Sequence, residues 1–123
     1  RALLGQNSSN PPSNRLPLDA TRFERTDGVF LATNFDDFTN GSIANPINVN
    51  ENGVRITSGL TIAYTGTGGD NDRLTNTTTS TCSGWTGTGG SGVYGQINST
   101  TFPFVAGTLA CTNQARLYCF GPN

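Results

Sequence analysis

Length, composition and charge narrow the possible classes of protein. The chain has 123 residues, of which 33% are apolar and 12% charged, and its net charge at neutral pH is -1. One hydrophobic core usually spans about 100 to 150 residues, so we predict a single domain over residues 1–123. With so little charge, the chain has neither a basic cluster that could bind nucleic acid nor an acidic tail. We therefore expect no nucleic-acid partner. No apolar run approaches the roughly 18 residues of a membrane-spanning helix.

The residue types that carry most enzyme chemistry are scarce. The sequence contains no His, and its seven basic residues are all Arg. Without His or Lys there is no obvious general base, and no nucleophile motif is visible. We therefore predict that the protein is not an enzyme.

Residues 1–20 are predicted to be an extended connecting segment rather than part of the core. A short apolar run, Ala2-Leu3-Leu4, is followed by Pro11-Pro12 among Asn and Ser residues, which favour an extended loop. The sequence starts at Arg1 without Met or an apolar leader. We therefore expect a processed or truncated product whose export signal lies upstream.

Between residues 21 and 59, turn signals separate short apolar runs. Asp27-Gly28 marks a turn before residues 29–31, which we predict to form a strand, and Asn52-Gly53 is a strong tight-turn signal. Four residues of alternating charge lie just before the Asp27-Gly28 turn or within it. This pattern is typical of a solvated surface, with a recognition patch as the alternative. The four residues are Arg22, Glu24, Arg25 and Asp27.

Residues 60–65 alternate between large and small side chains. This period of two predicts a half-buried strand with Leu60, Ile62 and Tyr64 on its buried face. Residues 66–81 are then nearly all Gly, Ser, Thr, Asn and Asp around a lone Leu74. We predict a long surface loop there, and loops of this length often carry function.

The loop contains Asp70-Asn71-Asp72, a possible ligand-binding group. Oxygen atoms of this kind suit Ca²⁺, which prefers six to eight of them. Two carboxylates and one amide are too few without further ligands, and the same residues are common in ordinary turns. We therefore predict no metal and no cofactor, with Ca²⁺ held by Asp70 and Asp72 as the alternative.

Two later segments, residues 93–97 and 116–120, are also predicted strands, because both are short runs rich in β-branched and aromatic side chains. No window shows apolar residues at the spacing of a long amphipathic helix. The patterns together favour an α+β domain in which most of the regular structure is strand.

The three cysteines, Cys82, Cys111 and Cys119, lie in polar surroundings. A zinc site would need all three thiolates and a carboxylate from unrelated segments, without a CxxC pair or any His, so a structural disulfide is the better interpretation. A bond between Cys82 and Cys111 would close a loop of about 30 residues and contribute roughly 3 to 4 kcal/mol. The third thiol is then either paired outside this chain or buried as a free thiol.

The order of several motifs resembles a known family. The sequence is similar to the C-terminal part of bacterial endostatin-like, C-type-lectin-like surface domains. In that family Trp-Thr-Gly, a variable loop, Cys-x-x-Trp-Thr, a Gly-rich stretch, a Cys and Leu-Tyr-Cys follow in this order. Tyr64 stands where the family usually has Trp, and it keeps an aromatic ring there. The matching residues are Tyr64-Thr65-Gly66, Thr81-Cys82-Ser83-Gly84-Trp85-Thr86, Tyr94-Gly95, Cys111 and Leu117-Tyr118-Cys119-Phe120.

The resemblance implies a C-type-lectin-like fold that lacks its N-terminal segment in this chain. It implies a disulfide between Cys82 and Cys111, and it pairs Cys119 with a cysteine of the family's N-terminal helix, which is missing here. It also implies that three aromatic residues are structural, with the Trp packed beside the disulfide, although these residue types are also enriched at binding hot spots. The three are Tyr64, Trp85 and Tyr118.

Two functions follow from the resemblance as expectations. The first is a secreted, adhesin-like module on the bacterial cell surface that binds an extracellular protein or glycan through the 66–81 loop. The alternative is a structural subunit of an extracellular filament, completed through Cys119 by its own cleaved N-terminal fragment or by an identical subunit. The missing element would leave a sheet edge and a groove for such a neighbour. In both cases we expect the protein to be extracellular or on the outer cell surface.

Overall fold

A computed structural model describes residues 1–7, 9–68, 74, 77 and 79–121 of the chain. Most of their regular structure is strand, and the helices are all four residues long. The predicted class, α+β with mostly strand, is therefore confirmed. The strands are β1 (Phe23–Glu24), β2 (Phe30–Ala32), β3 (Ile62–Tyr64), β4 (Ser91–Gln96), β5 (Gly107–Ala110) and β6 (Arg116–Leu117). The helices are a 3-10 helix (Pro12–Arg15), α1 (Phe35–Phe38) and a helical turn (Cys82–Trp85).

The strands form two sheets. β1 and β2 pair antiparallel, and the larger sheet has the order β5-β4-β3-β6. Within it β3 is antiparallel to β4 and parallel to β6, so β3 is hydrogen-bonded on both edges. The strands predicted at 29–31, 93–97 and 116–120 correspond to β2, β4 and β6, whereas β1 and β5 have no predicted counterpart.

The predicted burial of β3 is confirmed for Tyr64, which is 8% exposed, but the opposite face of the strand is buried as well. Ala63 has 0% exposure, whereas Leu60 precedes the strand and is 40% exposed. Where residues on both faces of a strand are buried, alternation in size no longer marks a single buried side.

The hydrophobic core joins the two sheets through Phe38, which is fully buried at the end of α1. Its ring stacks on Phe23 of β1 with the centroids 4.4 Å apart, and it lies 5.3 Å from the ring of Phe104. The helix begins after Asn34, whose side chain accepts a hydrogen bond from the Asp37 N–H and thereby satisfies a free donor of the first turn. This cap directs Phe38 inward.

The loop before β5 lies against β4 because residue 95 is glycine. A Cβ atom at Gly95 would lie only 1.9 Å from the carbonyl oxygen of Pro103. The loop is also held by the Thr65 hydroxyl, which donates to the Phe104 carbonyl at 2.6 Å. These contacts seat Phe104 in the core.

The amino-terminal segment belongs to the core, so the prediction of a connecting segment at residues 1–20 is wrong. Leu3 and Leu16 are buried, and the Leu3 N–H donates to the Tyr118 carbonyl at 2.8 Å. Ala2 lies opposite Cys119 in an antiparallel bridge. An extended segment of this kind is stabilised by a partner far away in the chain, which a local sequence pattern does not reveal.

The described parts of the predicted 66–81 surface loop are not all at the surface. Thr67 and Leu74 have 0% exposure, and Thr67 pairs with Thr77 in an isolated bridge. The Leu74 carbonyl accepts a hydrogen bond from the Ser13 N–H at 2.8 Å. The prediction of a surface loop is therefore wrong for Thr67 and Leu74, and Leu74 is hydrogen-bonded to the amino-terminal segment.

Candidate functional site

The disulfide between Cys82 and Cys111 is present, with the two Cα atoms 5.6 Å apart and 29 positions between the residues in sequence. Cys82 is buried, and Cys111 directly follows β5. The bond therefore connects the helical turn to the edge of the larger sheet. A disulfide of this kind is compatible with an extracellular protein.

The helical turn that begins at Cys82 is left-handed. The φ angles of Cys82, Ser83, Gly84 and Trp85 are 51°, 57°, 68° and 68°. This conformation costs a non-glycine residue about 1 to 2 kcal/mol, so the turn persists only where its surroundings hold it. Besides the disulfide, the Thr81 side chain accepts from the Gly84 N–H at 3.2 Å, and the Trp85 N–H donates to the Thr81 carbonyl at 2.7 Å.

The turn places Trp85 where the amino-terminal segment meets β3. Its ring centroid lies 5.3 Å from that of Tyr64. The Tyr64 hydroxyl in turn donates towards the carbonyl oxygens of Ala110 and Asn113, each 3.1 Å away. Burial raises the pKa of Tyr64 above its ordinary value of 10.0. Tyr64 thus contacts both disulfide-bonded segments, the turn through Trp85 and the segment around Cys111 through two carbonyls.

The third predicted structural aromatic, Tyr118, belongs to the hydrophobic core. Its side chain is buried, and its hydroxyl donates to the Pro103 carbonyl at 2.9 Å. The ring meets Phe104 edge to face, with centroids 5.8 Å apart. Tyr118 therefore anchors the carboxyl-terminal segment from which the next residue, Cys119, projects.

An open groove of about 1220 Å³ runs between residues 17–28 and residues 116–121. Part of its lining comes from the hairpin around the Asn52-Gly53 turn, where Val49 and Arg55 form a bridge. We call the side at 17–28 together with Glu51 the acidic wall, and the side at 116–121 the carboxyl-terminal wall. Six apolar residues of the lining are called the apolar bed: Phe23, Leu31 and Ile97 are buried, whereas Ile47, Ile56 and Phe120 are partly exposed.

The charge cluster found in the sequence lies on the acidic wall as two ion pairs. Arg22 contacts Glu24 at 2.8 Å, and Arg25 contacts Asp27 at 2.6 Å. The side-chain hydrogen bond from Arg25 holds the pKa of Asp27 below its ordinary value of 3.8. Arg25 also donates to the carbonyl of Pro46 at 3.0 Å. The Arg25 side chain therefore has a structural role in addition to its ion pair with Asp27.

Cys119 carries a free, exposed thiol on the carboxyl-terminal wall. The interpretation of this thiol as a buried one is wrong. Leu117 and Cys119 are both exposed, whereas Tyr118 between them is buried, which is the alternation of an extended strand. Leu117 and Cys119 therefore project from the same face.

Exposed apolar side chains gather around the groove. Leu117 lines it and is 50% exposed, and Leu18, which is 74% exposed, lies between two lining residues. Leu60 is held next to the groove because its carbonyl accepts from the Arg116 Nε at 2.5 Å. Phe102, in contrast, is 56% exposed and takes no part in the lining.

The predicted ligand group, Asp70, Asn71 and Asp72, lies outside the described residues, and so does the alternative Ca²⁺ site. Among the residues that are described, no cluster of three or more His, Cys, Asp or Glu side chains could bind a metal ion. Nor does any described helix have the length and apolar character needed to cross a bilayer.

The residues of this groove were not predicted from the sequence, because its lining comes from three separate stretches of the chain together with Leu31 and Ile97. One signal was available. Ile47, Val49, Val54 and Ile56 surround the Asn52-Gly53 turn, and this number of apolar side chains exceeds what an isolated hairpin can bury.

Comparison of the chain with protein families, with curated proteins and with solved structures yields no match. The groove, the disulfide-bonded turn and the free thiol are therefore interpreted from their own chemistry.

Proposed function

We propose that this chain is an extracellular, non-catalytic binding domain of a bacterial surface protein, and that the groove is its binding surface. The observation that carries the proposal is a groove of about 1220 Å³ whose lining includes the partly exposed Ile47, Ile56 and Phe120 and the exposed Leu117. Soluble domains rarely expose such surfaces unless a partner covers them. The disulfide supports an oxidising location. The sequence resemblance to adhesin-like domains agrees with this role.

The chemistry of the groove favours a polypeptide ligand over a glycan. Its bed is made of Leu, Ile and Phe side chains, which gain most from contact with other apolar side chains. Four of the seven charged side chains in the lining are occupied with one another, in the Arg22–Glu24 and Arg25–Asp27 pairs. A glycan would instead require free hydrogen-bonding groups next to a flat aromatic surface.

Binding to purified extracellular matrix proteins and complement regulators, with a glycan array alongside, tests this function. We expect micromolar binding to at least one of the proteins. Leu117→Asp should weaken it by about tenfold or more, since a carboxylate in the groove must be desolvated. Phe102→Asp, an equally exposed substitution away from the groove, should change it by less than about twofold. Absence of binding to every protein at micromolar concentration would refute the proposal.

A second function, a subunit of an extracellular assembly, is favoured by the exposed thiol of Cys119 on the groove wall. Spare thiols in oxidising compartments are normally paired with another segment or chain. Disulfide-mapped mass spectrometry of native material tests it. We expect Cys119 in a disulfide with a second peptide, and a free Cys119 in the native protein would contradict this function.

A further inference from the structure

The two walls of the groove differ in charge. The acidic wall carries four carboxylates and two guanidinium groups, and its two ion pairs leave Asp19 and Glu51 without an ion-pair partner among the described residues. The carboxyl-terminal wall carries Arg116, whose guanidinium donates to the carbonyls of Leu60 and Ser58 and contacts no carboxylate in that part of the chain. One wall is thus net negative and the other net positive.

We infer that the groove is an interface between two copies of this chain. In a twofold arrangement the carboxyl-terminal wall of each copy enters the groove of the other, so that positive meets negative twice. The exposed Leu117 then enters the groove of the second copy. The overall net charge of -1 leaves little repulsion between copies. This inference rests on the second function proposed above and identifies the neighbour as an identical chain.

Cys119 is the residue that lies on the twofold axis. In an isologous contact centred on it, the position two residues before Cys119 faces the position two residues after it in the other copy. Leu117 therefore faces Gly121, where nothing lies within 4 Å of the site of a Cβ atom. On each side of the axis, the large side chain of Leu117 in one copy lies beside Gly121 of the other, which has no side chain. The surface is therefore complementary to itself.

The covalent step is a thiol–disulfide exchange with a small-molecule disulfide. The Cys119 thiolate of one copy attacks oxidised glutathione and releases one glutathione. The Cys119 thiolate of the second copy then attacks the protein-bound sulfur of the mixed disulfide and releases the other. The two Cys119 protons pass to the departing thiolates. One disulfide is consumed and one is formed, and the glutathione disulfide is reduced to two thiols.

The test is the rate at which the 123-residue chain forms a disulfide-linked dimer in oxidised glutathione, followed by non-reducing electrophoresis and light scattering. The matched control is Cys119→Ser combined with Ser42→Cys, which moves an exposed thiol to a surface outside the groove. We expect the native chain to dimerise about tenfold faster than this control or more, because docking raises the effective thiol concentration. Glu51→Arg should slow dimerisation about threefold, and Asp36→Arg, outside the groove, should leave it unchanged.

Equal rates for the native chain and the relocated thiol would overturn the inference. A reaction of the native chain that stops at the mixed disulfide between Cys119 and glutathione would also overturn the inference. This outcome can be observed without any variant. Binding to extracellular proteins is measured separately on Cys119→Ser, which has no thiol to couple. A chain that binds them and does not dimerise therefore refutes this inference and leaves the binding function intact.

Discussion

The indole nitrogen of Trp85 donates a hydrogen bond to the carbonyl oxygen of Gly5, 2.7 Å away and 80 positions earlier in the sequence. Gly5 is buried, and its own N–H donates to the Thr65 carbonyl at 2.8 Å. The left-handed turn, the amino-terminal segment and the end of β3 are therefore connected at one point. The disulfide at Cys82 holds the turn that makes this connection.

Trp85→Phe removes the donor and keeps an aromatic ring against Tyr64. The Gly5 carbonyl is then left buried without its partner, and we expect the free energy of unfolding to fall by about 1 to 3 kcal/mol. Urea denaturation followed by circular dichroism measures the change. Tyr94→Phe is the control, because it also removes one polar group from an aromatic ring and should cost less than about 0.5 kcal/mol. Equal stability of Trp85→Phe and the native chain would show that the bond is unimportant.

Gly84→Ala tests the left-handed turn by backbone conformation alone. Nothing lies within 4 Å of a Cβ atom at Gly84, but its φ is +68°, so the added methyl group should destabilise the fold by about 1 kcal/mol. Gly89 has equally free space and no such φ, and Gly89→Ala should be neutral or slightly stabilising. Thermal unfolding of the two variants compares them directly. Indistinguishable midpoints would contradict the left-handed conformation.

Removal of the disulfide by Cys82→Ala with Cys111→Ala should lower the free energy of unfolding by about 3 to 4 kcal/mol, since the unfolded chain gains loop entropy. We also expect a second effect. The left-handed turn loses one of its restraints, so the amide protons near Gly5 should exchange faster than those of β4. Hydrogen exchange with mass spectrometry measures this, and uniform acceleration across the chain would argue against a link between the disulfide and the amino-terminal segment.

The Arg25–Asp27 pair should make stability dependent on acidity. The pKa of Asp27 in the folded chain lies below its ordinary value of 3.8, so the pair stabilises the fold above that pH and this contribution is lost as the pH falls through the folded pKa. Asp27→Asn should therefore reduce the difference in unfolding free energy between neutral pH and pH below 3.8. Asp36→Asn is the control on an exposed carboxylate, and an equal reduction in both variants would exclude a specific role for the pair.

Local patterns in the sequence predicted those features that depend on nearby residues. Asp27-Gly28 and Asn52-Gly53 form turns with positive φ at both glycines, because only the residue itself and its neighbours decide this conformation. The strands at β2, β4 and β6 followed from short β-prone runs. On β3 the burial of Tyr64 followed from the alternation of side chains, whereas the burial of Ala63 on the opposite face did not, because it depends on which distant segments cover that face.

Long-range contacts account for what the sequence did not predict. Leu3 and Leu74 are buried by segments far away in the chain, and Gly95 is required by the approach of Pro103 rather than by any local turn. The candidate groove belongs to the same class of feature. Its bed combines residues from β1, the 47–56 hairpin and the carboxyl-terminal segment, none of which is unusual by itself.

The sequence by itself determined the strand-rich class, the glycine turns and the presence of one cysteine more than a single disulfide can use. These properties depend on residue type, backbone preference and simple counting. Only the tertiary structure decided that Cys119 is exposed on the wall of a groove and that the amino-terminal segment is buried. The physical reason is that burial depends on which distant segments pack together, and packing removes or leaves solvent access independently of the local sequence.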